Sequence, residues 1–300
     1  MLLSFRLWTA LKNPPRNHPL FHYALSQARK EQPRVTSGFF MWAFACSSIT
    51  FFSTVILDWI PLLVLVIFLL GNTLYGVRWS LRISHMLMQE KEHRRYDLLA
   101  ALPPGRLGTS WALSTGCLHQ RTSFRWVPYL VGALTIILIL TLLMTFGITL
   151  IVLQDDTMSE VLRLANSNIL ATSALALPVC ALFYLDHQYA TLTGILIAML
   201  APVDQNMIAE ARTRVLLLFL SLQMLVYLVV FGVVLNLPEI LRTAPEIEML
   251  LQVIVGTCLF LGVREALVRG LWQTLTRTLH AEEAEIELVL QPAPARGALA

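Results

Sequence analysis

Few residues in this chain have both the type and the spacing to do chemistry. His18 and His22 stand four apart, the spacing that puts two imidazoles on one helical face as metal ligands. Neither has a carboxylate or cysteine nearby in sequence, which leaves a solvated interfacial pair as the better reading. Glu282, Glu283, Glu285 and Glu287 form a carboxylate cluster, but one that reads as the solvated face of an acidic tail. Cys46, Cys117, Cys180 and Cys258 are dispersed, without a CxxC or Cys/His spacing, and read as inert packing residues. Asp186-His187 and Glu265 each stand where an apolar run ends, placed either to gate a pathway or to anchor a helix at fixed depth. His-Glu-x-x-His, Gly-x-Ser-x-Gly and Gly-x4-Gly-Lys-Ser/Thr are all absent. Nothing here predicts an enzyme, a cofactor, a metal or a nucleotide site of its own.

One block has mechanical rather than catalytic content: Glu90-Lys91-Glu92-His93-Arg94-Arg95-Tyr96-Asp97-Leu98-Leu99-Ala100-Ala101-Leu102-Pro103-Pro104-Gly105-Arg106. The mixed charges from Glu90 to Asp97 keep it in water. Leu98, Leu99 and Leu102 then offer an apolar edge, and Pro103-Pro104-Gly105 stops the helix sharply. Such a helix and turn suits the docking of a partner that pushes on the rest of the chain. It equally suits a surface helix held on lipid headgroups by Arg94, Arg95 and Arg106.

The elements that must position this block are apolar. The 300-residue chain is 56% hydrophobic and 14% charged, with a mean hydropathy of +0.66, whereas a soluble domain has about 25% charged residues. An all-α integral membrane protein is predicted, and the net charge of only +3 gives no support to a nucleic-acid partner. A hydrocarbon core of about 30 Å needs about 20 apolar residues per helix. Six runs qualify: 38–57, 60–77, 127–153, 169–185, 215–235 and 249–263. None contains Asp, Glu, Lys, Arg or His, so the intramembrane charges of proton- or ion-coupled carriers are missing.

A seventh stretch, Leu192 to Val203, is short, contains Gly194 and meets Pro202, and reads as interfacial or re-entrant. With six crossings and both termini cytoplasmic, Arg163 and Arg242 are the only Lys or Arg in external loops, which satisfies the positive-inside rule. The organisation expected is a cytoplasmic N-terminal segment, 1–37, with one interfacial helix near Leu20 to Lys30. A six-helix transmembrane domain, 38–268, follows, with a cytoplasmic loop at 78–126 and an interfacial segment at 187–214. The cytoplasmic tail, 269–300, is expected to be partly disordered. A faint likeness between Leu74-Tyr75-Gly76-Val77-Arg78 and Phe260-Leu261-Gly262-Val263-Arg264 is as well explained by basic residues ending inward spans.

The block resembles the cytoplasmic segment between the second and third spans of type-2 ATP-binding-cassette (ABC) permeases, approximately E-[RK]-E-x-G-T-x-E-L-L-L-x-x-P-[LI]-S-[RK]. Glu90, Lys91, Glu92, Leu98, Leu99, Pro103 and Arg106 match without a gap, and Asp97 replaces a Glu. Arg94-Arg95 stand in place of Gly-Thr, and Pro104-Gly105 in place of a hydrophobic residue and Ser. The resemblance implies a plasma-membrane exporter permease that pairs with a second permease chain. A separate cytoplasmic ATPase would dock on Glu90, Glu92, Asp97, Leu98, Leu99, Pro103 and Arg106 and supply the energy. The competing expectation is a non-transporting membrane scaffold or assembly partner with the same architecture.

Overall fold

The computed structural model describes residues 2–14, 19–30, 60–101, 105–120, 160–204, 207–241 and 245–290, with scattered positions between 129 and 147. It is all-α, and among the described residues no strand occurs. Four long helices dominate: α3 (Ile60–Glu92), α6 (Glu160–Asp204), α7 (Ile208–Leu241) and α8 (Pro245–Thr278). The shorter ones are α1 (Leu3–Lys12), α2 (Pro19–Lys30), α4 (Arg95–Ala100), α5 (Gly105–His119) and α9 (Glu283–Leu290).

Each long helix carries one long apolar stretch, and α3, α7 and α8 each have an amphipathic end. The amphipathic ends of α3 and α8 and the enclosed end of α6 meet α1, α2, α4, α5 and α9 in a single core that includes Leu11, Ile83, Leu113, Ile195, Leu275 and Val289. α7 joins beside it through Ala211, Val215 and Phe219, packed with Met88, Ala190 and Ile197. Further along, Val226 and Val230 of α7 meet Phe260 of α8. Glycine lets α3 and α6 approach closely at Gly76 and Gly194. A Cβ at Gly76 would lie 3.1 Å from the Ala190 carbonyl oxygen of α6 and 2.4 Å from Phe219 Cζ of α7, and one at Gly194 would lie 3.0 Å from the Gly76 carbonyl oxygen.

Ile208–Val234 is the one stretch of the described residues that passes as long and apolar enough to cross a membrane. The run 38–57 lies outside the described residues, and 127–153 is described only at scattered positions.

Three sequence expectations are corrected. The interfacial segment at 187–214 does not exist as a unit: residues 187–204 continue α6 without a break, and Leu192, Ile195, Leu196, Ile197, Ala198 and Met199 are fully buried. Apolarity all round a helix signals enclosure by protein, whereas an interfacial helix needs a polar face. The N-terminal segment holds two helices rather than one, and Leu20, Phe21 and Ala24 of α2 face α5 instead of a lipid surface. A Cβ at Gly116 of α5 would sit 2.6 Å from Ala24 Cβ, so the two helices meet closely there. Finally, residues 281–290 are not a solvated acidic run alone: α8 extends to Thr278, and α9 buries Val289 with Ile286 and Leu290 packed beside it.

Candidate functional site

The block at 90–106 is built as a helix, a break and a second helix. α3 ends at Glu92, where His93 Nδ1 meets the Gln89 carbonyl at 2.7 Å. The chain reverses at Arg94, whose φ of 55° and ψ of 19° are left-handed. Glycine adopts this conformation freely, and other residues do so at a cost of about 1 kcal/mol. Arg94 is the residue that stands in place of the Gly in the permease pattern.

α4 then lies across α5. Tyr96 is buried with its hydroxyl 2.8 Å from Ser110 Oγ, and Thr109 Oγ1 donates to the Leu99 carbonyl at 3.0 Å. The second bond satisfies an acceptor at the C-terminal end of α4 that the helix itself cannot satisfy.

The seven residues expected to dock a partner divide. Glu92, Asp97, Leu98 and Arg106 are exposed, Leu98 at 72%. Leu99 is half-buried against the core and supports α4 from behind. Glu90 is 1% exposed and accepts hydrogen bonds from the Tyr23 hydroxyl at 3.1 and 3.3 Å, so it is turned inward and corrects the expectation of a surface contact. A lone buried carboxylate is costly, and the Tyr23 phenol of α2 is what relieves it. Pro103 lies outside the described residues. Arg95 Nη1 donates to the same Tyr23 hydroxyl at 3.4 Å, and Lys91 Nζ donates to the Pro202 carbonyl at the end of α6. Among the described residues of the block, Leu98 is the exposed large apolar side chain, and Glu92, Arg94, Asp97 and Arg106 are exposed with it.

A second polar constellation lies where the apolar stretches meet the packed end. Asp186 of α6 and Arg264 of α8 form a buried ion pair, at 1% and 0% exposure. Asn72 of α3 donates through Nδ2 to Asp186 Oδ2 and to the Phe183 carbonyl, both at 3.1 Å. Tyr227 of α7 donates to Asp186 Oδ2 at 3.1 Å and accepts from Arg264 Nη2 at 3.3 Å, with Thr73 Oγ1 3.3 Å away. The guanidinium lies 5.3 Å from the Tyr227 ring centre and 5.4 Å from that of Phe260. All four long helices contribute. Among the described residues Arg264 Nε and Nη1 have no hydrogen-bond partner.

The sequence marked Asp186 as a gate or an anchor and missed its partner. The available signal was one acidic and one basic residue, each terminating an apolar run at the same end.

Glu265 anchors rather than faces a pathway. Its Oε1 accepts from the Leu3 N–H at 2.8 Å and from Arg269 Nε at 3.1 Å, so it caps the start of α1. Burial alone would raise its pKa, but hydrogen bonds from Ser4, Arg269 and the Leu3 amide outweigh that and hold it below the usual carboxylate value. His187, next to Asp186, is enclosed by the Tyr75 ring at 4.6 Å and the Trp8 ring at 6.3 Å. Burial pushes its pKa down to about 3, so the imidazole is neutral.

Of the suspected metal pair, His22 is exposed and His18 lies outside the described residues. No protein-family model, curated protein or solved structure matches this chain.

Proposed function

We propose that the chain is the membrane-spanning permease subunit of an ABC exporter, driven by a separate cytoplasmic ATPase that docks on the element between α3 and α5. In this reading it crosses the plasma membrane six times with both termini in the cytoplasm, and it pairs with a second permease chain. The observation that carries the reading is the element itself, a short helix set off from α3 by the left-handed residue Arg94 and held on α5, which leaves Leu98 as an exposed apolar knob. The apolar stretch Ile208–Val234, with Leu217, Met224 and Leu228 exposed along it, supports the membrane assignment. No ionisable residue occurs in the six apolar runs, which agrees with energy entering from outside the bilayer.

The test is affinity purification of the tagged chain from membranes, followed by assay of the bound ATPase. Wild-type chain is expected to recover an ATPase with a phosphate loop. Leu98→Asp is expected to reduce its recovery at least tenfold with insertion and thermal stability unchanged, because truncating or charging an apolar interface anchor costs about 2 kcal/mol or more. Recovery of other membrane proteins without an ATPase would support the scaffold reading instead.

A further inference from the structure

Glu285 belongs to the acidic run that the sequence leaves in solvent, yet its carboxylate sits on the first turn of α5. Its Oε2 accepts from the Leu107 N–H at 3.3 Å, and a Cβ at Gly105 would fall 1.8 Å from its Oε1. Gly105 has φ +69°, so glycine is needed there twice, for the backbone conformation and for the space the carboxylate fills. α5 is a 15-residue helix whose first amide groups lack intrahelical partners, and a carboxylate opposes the partial positive charge of such an end. The neighbouring Glu282, Glu283 and Glu287 are exposed.

What α5 holds gives this contact its meaning. Through Ser110 and Thr109 it fixes Tyr96 and the Leu99 carbonyl of α4, which flank Leu98. A continuous set of contacts therefore runs from α9 through the N-terminus of α5 to the exposed knob. α9 is itself seated by Val289, Ile286 and Leu290 on the core that contains Leu107 and Leu279.

We propose that Glu285 is a positioning residue for the docking element: the C-terminal helix clasps the start of α5 and sets the orientation in which α4 presents Leu98 to the ATPase. This rests on the permease reading above and adds to it a control point some 180 residues away in sequence.

The test compares the full-length chain, Glu285→Ala, Glu285→Gln and a remote core variant, Val268→Ala, each purified and titrated with the ATPase recovered by the wild type. Glu285→Ala is expected to weaken binding about tenfold, the size of a lost charge contact at a helix end. Glu285→Gln keeps an acceptor without the charge and is expected to lose about threefold. Amide exchange over residues 99–110 is expected to rise in Glu285→Ala and to stay at the wild-type level in Val268→Ala. Val268→Ala is expected to lower the unfolding temperature and leave ATPase affinity at the wild-type value. Wild-type affinity in Glu285→Ala, or an equal loss in Val268→Ala, overturns this inference while leaving the permease reading standing. A wild-type chain that binds no ATPase overturns both.

Discussion

At Arg264 a guanidinium is buried, with a carboxylate as its principal partner and, among the described residues, no partner for two of its nitrogens. Enclosed ion pairs gain little over apolar residues of the same volume, but removing one partner strands the other charge. Arg264→Met is therefore expected to lower unfolding stability by about 3–5 kcal/mol. The double variant Arg264→Met with Asp186→Leu is expected to recover most of that loss, as read by denaturant unfolding in detergent. His187 supplies a different signature. In the unfolded chain an imidazole takes a proton near pH 6.5, while this one does so only at about 3, so the unfolded state binds more protons between those values. Its contribution is fully present above about pH 6.5 and declines as the pH falls, by up to about 1.4 kcal/mol per unit. Lowering the pH from 7 to 5 should cost about 2 kcal/mol in the wild type. His187→Phe, which keeps a ring between Trp8 and Tyr75, should show a flatter dependence on pH in thermal melts. Sequence alone marked Asp186 and Glu265 as polar residues at helix ends. It could not show that one is neutralised by Arg264 and the other caps α1, because both relations join segments far apart in the chain.

Among the elements, the helix and break at 90–100 was legible because its signals are local: clustered charge, adjacent leucines and a proline pair. α5 was not. Thr109, Ser110, Ser114, Thr115 and Gly116 give it the composition of a loop, yet every residue from Leu107 to His119 is buried. Small polar residues are accommodated inside because neighbouring helices and their own backbone accept their hydroxyls, as in the bonds of Thr109 to Leu99 and of Thr115 to the Trp111 carbonyl. Likewise α9 reads as acidic and solvated until Glu285 is seen against α5. The break itself offers a direct test. Arg94→Gly is expected to be accepted with a stability change below about 1 kcal/mol, since relief of the left-handed conformation offsets glycine's entropy. Arg94→Val should lose at least about 1 kcal/mol, because a β-branched residue tolerates that region least. Chemical denaturation of the two variants measures the difference.

For the whole molecule, the all-α class followed from composition and pattern, while the packed end did not, because amphipathic helices that cover one another resemble helices that cover lipid. The proposed six-crossing layout makes a separate prediction. In a chain stripped of its natural cysteines, Met207→Cys, exposed at the joint between α6 and α7, should react with a membrane-impermeant thiol reagent only after the cells are opened. Reaction in intact cells would reverse the orientation. α6 has one further consequence. Its 45 residues form a rod of about 68 Å at 1.5 Å per residue, gripped at one end by the core and joined part-way along to α3, α7 and α8 through Asp186. From Asp186 to its free end the helix runs 26 residues, about 39 Å, so a tilt of about 5° about that joint would carry the free end through about 3 Å.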